Sequence, residues 1–391
     1  MNSVRRPRVL MLLEGPYPTL RGGGAEAQVR TLTSAMRRRG QRVTVVAPLT
    51  ADGPQAAISR VDGVPVCRLR FPRARMIGGP LLWLSLARFL HRRGHHYDVW
   101  HVHVARSWAV VSALLGRTMG KRVIVKVSGS WDLEHGALAP GAGHLSRIAY
   151  RCLCRVDAWQ AISQRVCSVL VARGIPADRV AAIPNAVDTA RFGRVQRDSG
   201  TPLRFVFIGR LVEEKDLTTL LDAFADVVSD PRPELLIVGT GALLESLQAQ
   251  SQALELGGHV TFAGHRDDIE AILAQADIGI LPSRFEGLSN ALLECMAAGL
   301  PMIASRISGN EDFVRAGENG WLFEASDRQG LGRCIRAAMA MPPARRLEMG
   351  ECARSTVKRQ ASIERVLAML DQLYAGRPFD GTAMLMSERR A

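Results

Sequence analysis

The chain alternates short apolar runs with longer stretches in which apolar residues recur every three or four positions. Apolar runs at 8–13, 42–48 and 122–127 are followed by turn signals and helical patterns, and the same period restarts at 204–208. This alternation predicts strands joined by helices, and therefore parallel sheets built from right-handed crossovers. In such sheets, ligands bind outside the carboxyl ends of the strands. With 391 residues, the chain is long enough for two such α/β domains.

The stretch 277–301 carries the densest set of chemically useful groups. A predicted strand at 277–281 runs into a loop closed by Gly287, and a predicted helix follows the loop. The backbone N–H groups of Gly287, Leu288 and Ser289 face outward with the positive end of the helix dipole behind them. The turn is therefore predicted to hold an anion such as a diphosphate.

Two glutamates flank this turn. Glu286 lies in the loop and Glu294 about two turns into the helix, and because helical side chains lean toward the N-terminus, both carboxylates can reach a ligand above the turn. Carboxylates bind sugar hydroxyls well and phosphate badly. One acid for each of two polyols, beside a diphosphate site, is the arrangement that a nucleotide-sugar needs. The alternative is an ordinary buried strand and helix with two solvated glutamates.

Two cations follow the strand predicted at 204–208. Arg210 can hold phosphate oxygens with two parallel N–H groups, and Lys215, near a predicted helix start, adds a point charge. Both residues are therefore candidate diphosphate contacts. The alternative is that they form surface salt bridges with Glu213 and Glu214.

A glycine cluster follows the first predicted strand. Gly22, Gly23 and Gly24 precede a helical pattern that runs to about residue 39. Glycines let a backbone approach a ligand closely because no Cβ intervenes, and a helix start supplies N–H donors. Gly23 and Gly24 are therefore candidate phosphate contacts, although a glycine cluster taken alone is also typical of a simple turn.

The net charge of +14 is concentrated in the first half of the chain. Residues 1–190 hold 28 Lys and Arg against 10 Asp and Glu, whereas residues 191–391 hold 23 against 27. An anionic membrane surface, a phosphorylated acceptor, nucleic acid, or a solvated arginine-rich surface would each account for this charge. The chain lacks a helix-turn-helix signature, zinc-ligand spacing and interleaved aromatic residues, so we expect no nucleic-acid partner.

The segment 73–93 mixes apolar and basic residues more strongly than any other part of the chain. One hypothesis places this segment against the inner face of the cell membrane, where it would present the protein to a lipid-linked acceptor. The alternative is an ordinary amphipathic helix that covers the sheet of the first domain.

Cysteine usage and hydropathy favour a cytoplasmic location. The seven cysteines form neither a disulfide framework nor a Cys-x-x-Cys motif, which is typical of a reducing compartment. Glu14 ends the first apolar run after five residues, so that run resembles a first strand more than a signal peptide. The longest apolar stretch, 77–86, is half the length of about 20 residues needed to cross a bilayer.

The stretch around Glu286 resembles the signature of the retaining glycosyltransferases of family 4, in which two glutamates are separated by seven residues inside a Ser-x-x-Glu-Gly frame. The matching residues are Ser283, Glu286, Gly287, Glu294 and the run Ala297-Ala298-Gly299-Leu300-Pro301. The resemblance implies a GT-B fold, in which two Rossmann-like domains face each other across a cleft and the last helix crosses back to the first domain. The implied domains are an acceptor-binding domain at 1–190, a nucleotide-sugar-binding domain at 191–361, and a returning helix with a frayed tail at 362–391.

The resemblance also implies roles for individual residues. Glu286 would hold the transferred sugar and Glu294 the ribose hydroxyls. Arg210 and Lys215 would neutralise the diphosphate, while the segment after Gly264, including Arg266, would lie along the base through backbone groups. The family needs a nucleotide-diphosphate sugar as donor substrate and no cofactor. The chain contains no Asp-x-Asp triplet, so a metal-bound diphosphate is not expected.

Ser128 departs from the family pattern. Many relatives carry a histidine at this place, next to the transferring sugar, and Ser128 can donate one hydrogen bond but cannot titrate. His135 is a possible substitute. We therefore expect a metal-independent hexosyltransferase that acts on a glycan or lipid-linked acceptor, in bacterial surface polysaccharide assembly. The alternatives are a nucleotide-sugar epimerase of the same fold and a non-catalytic relative that binds the nucleotide-sugar.

Overall fold

The computed structural model describes residues 6–18, 23–51, 54, 56–72, 78–129, 144–193, 202–227 and 233–377. Contacts divide the chain into one unit of Met1–Ala186 with Ile363–Ala391, and a second unit of Val187–Ser362. These divisions lie near the boundaries after residues 190 and 361 that the sequence suggests. Residues 194–201, which follow the first of these boundaries, lie outside the described residues.

The first unit is built on an eight-stranded sheet. Its strands, in chain order, are β1 Val9–Leu13, β2 Val43–Pro48, β3 Ile58–Val61, β4 Val64–Leu69, β5 Val99–His103, β6 Arg122–Val127, β7 Ala158–Ala161 and β8 Val180–Ala182. The order across the sheet is β3-β4-β2-β1-β5-β6-β7-β8, and every neighbouring pair is parallel except β3 and β4.

The antiparallel edge is a hairpin that the sequence reading did not resolve. Asp62 and Gly63 connect β3 to β4 and both have positive φ, 49° and 76°. A two-residue turn of this kind matches the right-handed twist of the flanking strands. The outermost strand, β3, is therefore the antiparallel member of an otherwise parallel sheet.

Helices cover both faces of this sheet. They are Gly24–Arg38, Gly78–Arg93, Ser107–Thr118, His144–Leu153, Gln164–Ala172 and Ile363–Tyr374. Successive residues of β1 point to opposite faces, so Leu10 and Leu12 enter one buried cluster while Val9, Met11 and Leu13 enter the other. The two cores explain why β1 reads as one continuous apolar run.

The last helix, Ile363–Tyr374, packs on the first unit, as predicted. Its Asp371 Oδ1 lies 2.7 Å from Nη2 of Arg39, and the hydroxyl of Tyr374 lies 2.8 Å from Nδ1 of His101. His101 and His103, the alternate histidines of β5, are fully buried and stack with their ring centroids 4.6 Å apart. Burial lowers the pKa of His101 to about 3, so this ring is a neutral part of the core.

The second unit holds a six-stranded sheet that is parallel throughout. Its strands are β9 Arg204–Ile208, β10 Glu234–Val238, β11 Val260–Gly264, β12 Ile278–Leu281, β13 Met302–Ser305 and β14 Gly320–Phe323, in the order β11-β10-β9-β12-β13-β14. Its helices are Leu217–Ala225, Leu244–Ala253, Ile269–Gln275, Asn290–Ala297, Asn310–Phe313, Arg328–Ala340 and Pro343–Ala361.

The strand order decides which loops meet. β12 lies between β9 and β13, with Gly279 opposite both Val206 and Met302. Because the carboxyl ends of parallel strands meet at one edge, the loops after β9, β12 and β13 lie side by side. The sequence places three sets of polar residues in these loops.

Candidate active site

Lys215 and Glu286 are brought together although they lie 71 positions apart in the chain. Lys215 ends a short 3₁₀ turn, Glu213–Lys215, after β9, and Glu286 lies in the loop after β12. The Lys215 ammonium donates a hydrogen bond to Glu286 Oε1 at 2.6 Å. Both side chains are mostly buried, with exposed fractions of 12% and 17%. The alternative pairing of Lys215 with Glu213 or Glu214 is therefore not what the structure shows.

Glu286 is also held from its other side. Ser283 Oγ donates to Glu286 Oε2 at 3.1 Å, and the carbonyl of Ser283 accepts a hydrogen bond of 2.6 Å from Ser305 Oγ at the end of β13. Asn310, buried at the start of the helix Asn310–Phe313, donates to the Ser305 carbonyl at 3.0 Å. Each carboxylate oxygen of Glu286 thus has one protein donor, and the loop that carries it is anchored to the neighbouring strand.

The turn after Glu286 packs closely against the loop after β13. Gly309 has a φ of 81°, and a Cβ at this position would lie 2.1 Å from the carbonyl oxygen of Gly287. Only glycine fits there. The helix Asn290–Ala297 begins directly after Ser289, whose side chain makes no capping bond to it. Gly287, Leu288 and Ser289 are buried, and the first turn of this helix follows the loop, as the sequence predicts.

Glu294 lies on the same helix in a poorly solvated position. Burial raises the pKa of Glu294 to about 7, while nearby Arg191 opposes this rise and nearby Glu270 adds to it. Arg191 itself forms an ion pair with Glu270. Near neutral pH, the Glu294 carboxyl therefore lies close to its titration midpoint, with burial as the main cause.

Arg210 follows β9 and is exposed to solvent. It forms neither an ion pair nor a hydrogen bond with the part of the chain that the structure describes. Gly239 and Gly209 pack backbone to backbone beside it, since a Cβ on Gly239 would lie 1.8 Å from the Gly209 carbonyl oxygen. Among the described residues, the guanidinium of Arg210 is thus a cation without a bonded partner at the carboxyl edge of the sheet.

Arg266 is not gathered with these groups. Its side chain is exposed and forms an ion pair with Asp268, two residues along the chain. The structure therefore gives the Arg266 side chain a local partner, and a role in holding the base through the backbone of this segment stays a prediction.

In the first unit, Gly23 precedes the helix Gly24–Arg38 in an extended conformation. The Glu26 side chain folds back over this turn, since a Cβ on Gly23 would lie 1.9 Å from Glu26 Oε2 and one on Gly15 would lie 2.8 Å from Oε1. The glycines thus make room for a carboxylate of the chain itself. Contact of Gly23 and Gly24 with a donor remains a prediction, and Gly22 lies outside the described residues.

Ser128 follows β6 and is partly buried. Residues 130–143, which include His135, lie outside the described residues. Two positions earlier on the same strand face, Lys126 is buried and donates to Asn185 Oδ1 at 2.8 Å. Burial lowers the pKa of Lys126 to about 7. Sequence reasoning missed this group, although a lysine inside an otherwise apolar strand was a signal.

The described residues contain no group of three or more His, Cys, Asp or Glu side chains that could hold a metal ion. Among the described helices, none combines the length and the apolar character that crossing a bilayer requires.

Comparison with known proteins assigns the family. Residues 22–191 match the family model described as Glycosyltransferase Family 4, and residues 191–356 match the model described as Glycosyl transferases group 1. The structure of the Anabaena protein HepE in complex with UDP superposes with a TM-score of 0.76 and 20% identity, covering 94% of this chain and 99% of that one. This likeness shows the GT-B fold.

Curated relatives are glycosyltransferases of bacterial surface glycan and lipid-linked pathways. The phosphatidyl-myo-inositol mannosyltransferase of Mycobacterium tuberculosis is 30% identical over 329 residues, which cover 78% of this chain and 80% of the relative. The lipopolysaccharide core biosynthesis glycosyltransferase LpsE of Rhizobium meliloti is 33% identical over 171 residues, 44% of this chain and 49% of the relative, so the match spans about half of that protein. The chain belongs to the group 1 glycosyl transferases of family 4.

Proposed function

We propose that this chain transfers a hexose from a nucleotide-diphosphate sugar to a glycan or lipid-linked acceptor, with retention of anomeric configuration and without a metal ion. The observation that carries the proposal is the contact between Lys215 and Glu286 at the carboxyl edge of the second sheet, next to the start of helix Asn290–Ala297. A cation, a carboxylate and a helix N-terminus are the three elements that a diphosphate joined to a sugar requires.

Known relatives support this choice of substrates. The names of two of them specify mannosyl transfer to phosphatidyl-myo-inositol and galactosyl transfer to a diphosphoundecaprenol-linked sugar. The Anabaena neighbour was solved with UDP and glucose and with UDP-glucose. An acceptor from surface polysaccharide or lipid-linked glycan assembly is therefore the one we propose here.

Lys215 and Arg210 would act on the leaving group. When the bond between the anomeric carbon and the β-phosphate oxygen breaks, negative charge grows on the diphosphate, and fixed cations stabilise that charge without reorganisation. The Lys215 ammonium has three N–H donors and uses one on Glu286. It can thus bind a phosphate oxygen while it keeps its position. The leaving phosphate would take the proton of the acceptor hydroxyl on the same face of the sugar, so that configuration is retained.

Glu286 and Glu294 would hold the two polyols. The Glu286 carboxylate, fixed by Lys215 and Ser283, would accept hydrogen bonds from hydroxyls of the transferred sugar. Glu294, on the helix, would accept from the ribose hydroxyls, which favours its ionised form. The positive charge of Lys215 and Arg210 replaces the charge that a metal supplies in enzymes with an Asp-x-Asp triplet. Activity that is unchanged by EDTA would support this.

The first experiment is a screen of UDP-, GDP-, ADP- and dTDP-sugars by thermal shift, because a ligand that binds only the native state raises the melting temperature. Release of nucleoside diphosphate with acceptor fractions then measures transfer, and proton NMR of the product reports its anomeric configuration. An epimerase would interconvert the sugars of the donor and form no new glycoside. Binding without turnover would identify a non-catalytic relative.

Replacing Glu286 with glutamine separates catalysis from binding. We expect kcat to fall by about 10²-fold or more, as for loss of a group that orients the reacting centre, while affinity for the nucleoside diphosphate is kept or increased because Lys215 loses its neutralising partner. The matched control is Glu324→Gln, an exposed glutamate of the same unit that pairs with Arg306. Ser128→Ala tests whether the hydroxyl group of Ser128, in the first unit, contributes to transfer. Wild-type transfer by Glu286→Gln would refute the assignment.

We also propose that the helix Gly78–Arg93 contacts an anionic membrane surface. Trp83 and Leu84 are exposed, 43% and 63%, and the last turn of the helix carries His91, Arg92 and Arg93. Exposed apolar side chains beside basic ones suit the interface of an anionic bilayer. Leu84→Ser should reduce co-sedimentation with vesicles containing phosphatidylglycerol. Val171→Ser, an exposed apolar residue on another helix, should not, and no preference for anionic over neutral vesicles would refute the proposal.

A further inference from the structure

Asp216 is the single residue that connects the 3₁₀ turn Glu213–Lys215 to the helix Leu217–Ala225. It adopts a left-handed conformation with φ 50° and ψ 42°, and its side chain is 1% exposed. Aspartate and asparagine tolerate this conformation better than most residues. Glycine, which has no Cβ, would adopt this backbone conformation equally well. The backbone conformation therefore does not explain why a buried carboxylate is present here.

Three side chains, each from a different loop or helix, donate hydrogen bonds to the carboxylate of Asp216. Its Oδ1 accepts hydrogen bonds from Arg284 Nη2 at 2.8 Å and from Thr219 Oγ1 at 2.9 Å. Its Oδ2 accepts from Ser326 Oγ at 2.9 Å. Thr219 lies in the helix that follows, Arg284 in the loop after β12, and Ser326 in the loop after β14. A buried carboxylate with this many donors fixes the groups around it.

The contact with Arg284 joins the two loops that carry the candidate catalytic pair. Arg284 lies two residues before Glu286, and its backbone N–H also donates to the carbonyl of Glu214 at 2.8 Å. The loop with Lys215 and the loop with Glu286 are therefore tied at two points besides the Lys215–Glu286 contact itself. One tie is made by the backbone, and the other depends on the charge of Asp216.

Arg284 also carries a charge that must be kept in place. Its side chain is 44% exposed, so it can reorient if its partner is removed. Without the Asp216 carboxylate, the acid that still acts on the Arg284 guanidinium is Glu213 in the 3₁₀ turn, and the side-chain tie between the two loops is lost. Holding Arg284 thus keeps the shape of the loop that carries Glu286.

We propose that Asp216 is a positioning residue: by binding Arg284, it fixes the two loops so that Lys215 is presented to the β-phosphate of a bound nucleoside diphosphate. The inference rests on the proposed function, since it assumes that Lys215 contacts the donor diphosphate. It assigns Asp216 no contact with the donor.

The test compares nucleoside diphosphates with the corresponding monophosphates. Calorimetric titration with UDP, GDP, ADP and dTDP and with their monophosphates gives two dissociation constants for the pair that binds. The ratio used here is the dissociation constant of the monophosphate divided by that of the diphosphate. This ratio reports the contribution of the β-phosphate. Asp216→Asn keeps the left-handed backbone and the shape of the side chain but removes its charge. We expect the ratio to fall about tenfold, which corresponds to about 1.4 kcal/mol, with the monophosphate affinity within about threefold of wild type.

Two further variants make the result specific. Arg284→Gln should lower the ratio as Asp216→Asn does, and the double variant should lower it no further, because both remove the same tie. If Asp216→Asn does not fold, Arg284→Gln still decides, since that side chain is half exposed. The matched control is Asp226→Asn, which breaks an ion pair of 2.6 Å with Arg328 elsewhere in the same unit and should leave the ratio unchanged.

The outcomes separate the two proposals. If the wild type binds none of these nucleotides, the proposed function fails and the inference fails with it. If the wild type binds a diphosphate more tightly than its monophosphate, and Asp216→Asn leaves the ratio unchanged or raises it, only the positioning role is overturned. Additive losses in the double variant would also overturn it, because Asp216 and Arg284 would then act independently.

Discussion

Replacing Glu294 with glutamine should stabilise the folded protein at neutral to alkaline pH and weaken nucleotide binding at the same time. Burial raises the pKa of Glu294 from 4.5 to about 7. Because the folded state then binds the proton more tightly than the unfolded state, the protonated carboxyl favours folding, and this contribution is complete below pH 4.5. It is lost as the pH rises through 7. Glutamine does not ionise and has no such loss.

The size of the effect follows from the same values. A pKa difference from 4.5 to about 7, at 1.36 kcal/mol per pH unit, corresponds to about 3 kcal/mol between pH 4 and pH 8. Part of the Glu294 side chain remains accessible to solvent, so we expect about 2 kcal/mol. The variant and the wild type should therefore differ little near pH 4.5, and the variant should be the more stable one at pH 8.

Urea denaturation followed by circular dichroism at pH 5, 6, 7 and 8 measures this difference. The matched control is Glu324→Gln, the exposed glutamate that pairs with Arg306. Because an exposed ion pair contributes little to stability, this replacement should not stabilise the protein at pH 8. Parallel pH profiles for Glu294→Gln and the wild type would refute the reasoning. Unchanged nucleotide affinity in Glu294→Gln would refute only the assignment to ribose.

Three further predictions test other parts of the site. Lys215→Met should reduce kcat by about 10²-fold, the typical cost of losing one electrostatic contact to developing charge, in an assay of nucleoside diphosphate release. Gly309→Ala should destabilise the protein by at least about 2 kcal/mol in urea denaturation because its Cβ would lie 2.1 Å from the Gly287 carbonyl oxygen. Gly317→Ala, at a φ of 83° but with no atom within 4 Å of the added Cβ, should cost only about 1 kcal/mol. Arg266→Ala should change the dissociation constant for a nucleoside diphosphate by less than about twofold, since its side chain is exposed and bound to Asp268.

Much of the fold could be predicted because hydrophobic periodicity is a local signal. The strands β6 Arg122–Val127 and β9 Arg204–Ile208 have the same bounds as the apolar runs in the sequence. The failures lie where local patterns are ambiguous. β14 Gly320–Phe323 is only four residues long, and its first residue is a glycine that packs against the Met302 carbonyl. Nothing in so short a run distinguishes a strand from a loop.

Sequence reasoning singled out Lys215 and Glu286 as candidates but could not predict the contact between them. The spacing of Glu286 and Glu294 and the presence of Lys215 pointed to a nucleotide-sugar, but the sequence offered Glu213 and Glu214 as equally good partners for Lys215. The choice depends on β12 lying next to β9, which is a property of the strand order. The environment of Glu294 depends likewise on Arg191, about 100 residues earlier in the chain. The residues next to Glu294 in the sequence therefore do not reveal its burial.

Under the proposed function, the Lys215–Glu286 contact would let one site bind both a diphosphate and a sugar. Glu286 holds the Lys215 ammonium in an ion pair that uses one carboxylate oxygen, while Ser283 binds the other. Each carboxylate oxygen still has a free lone pair and the ammonium still has free N–H groups. The pair can therefore add a sugar hydroxyl on one side and a phosphate oxygen on the other without breaking its own contact, so binding requires no reorganisation of the charged groups.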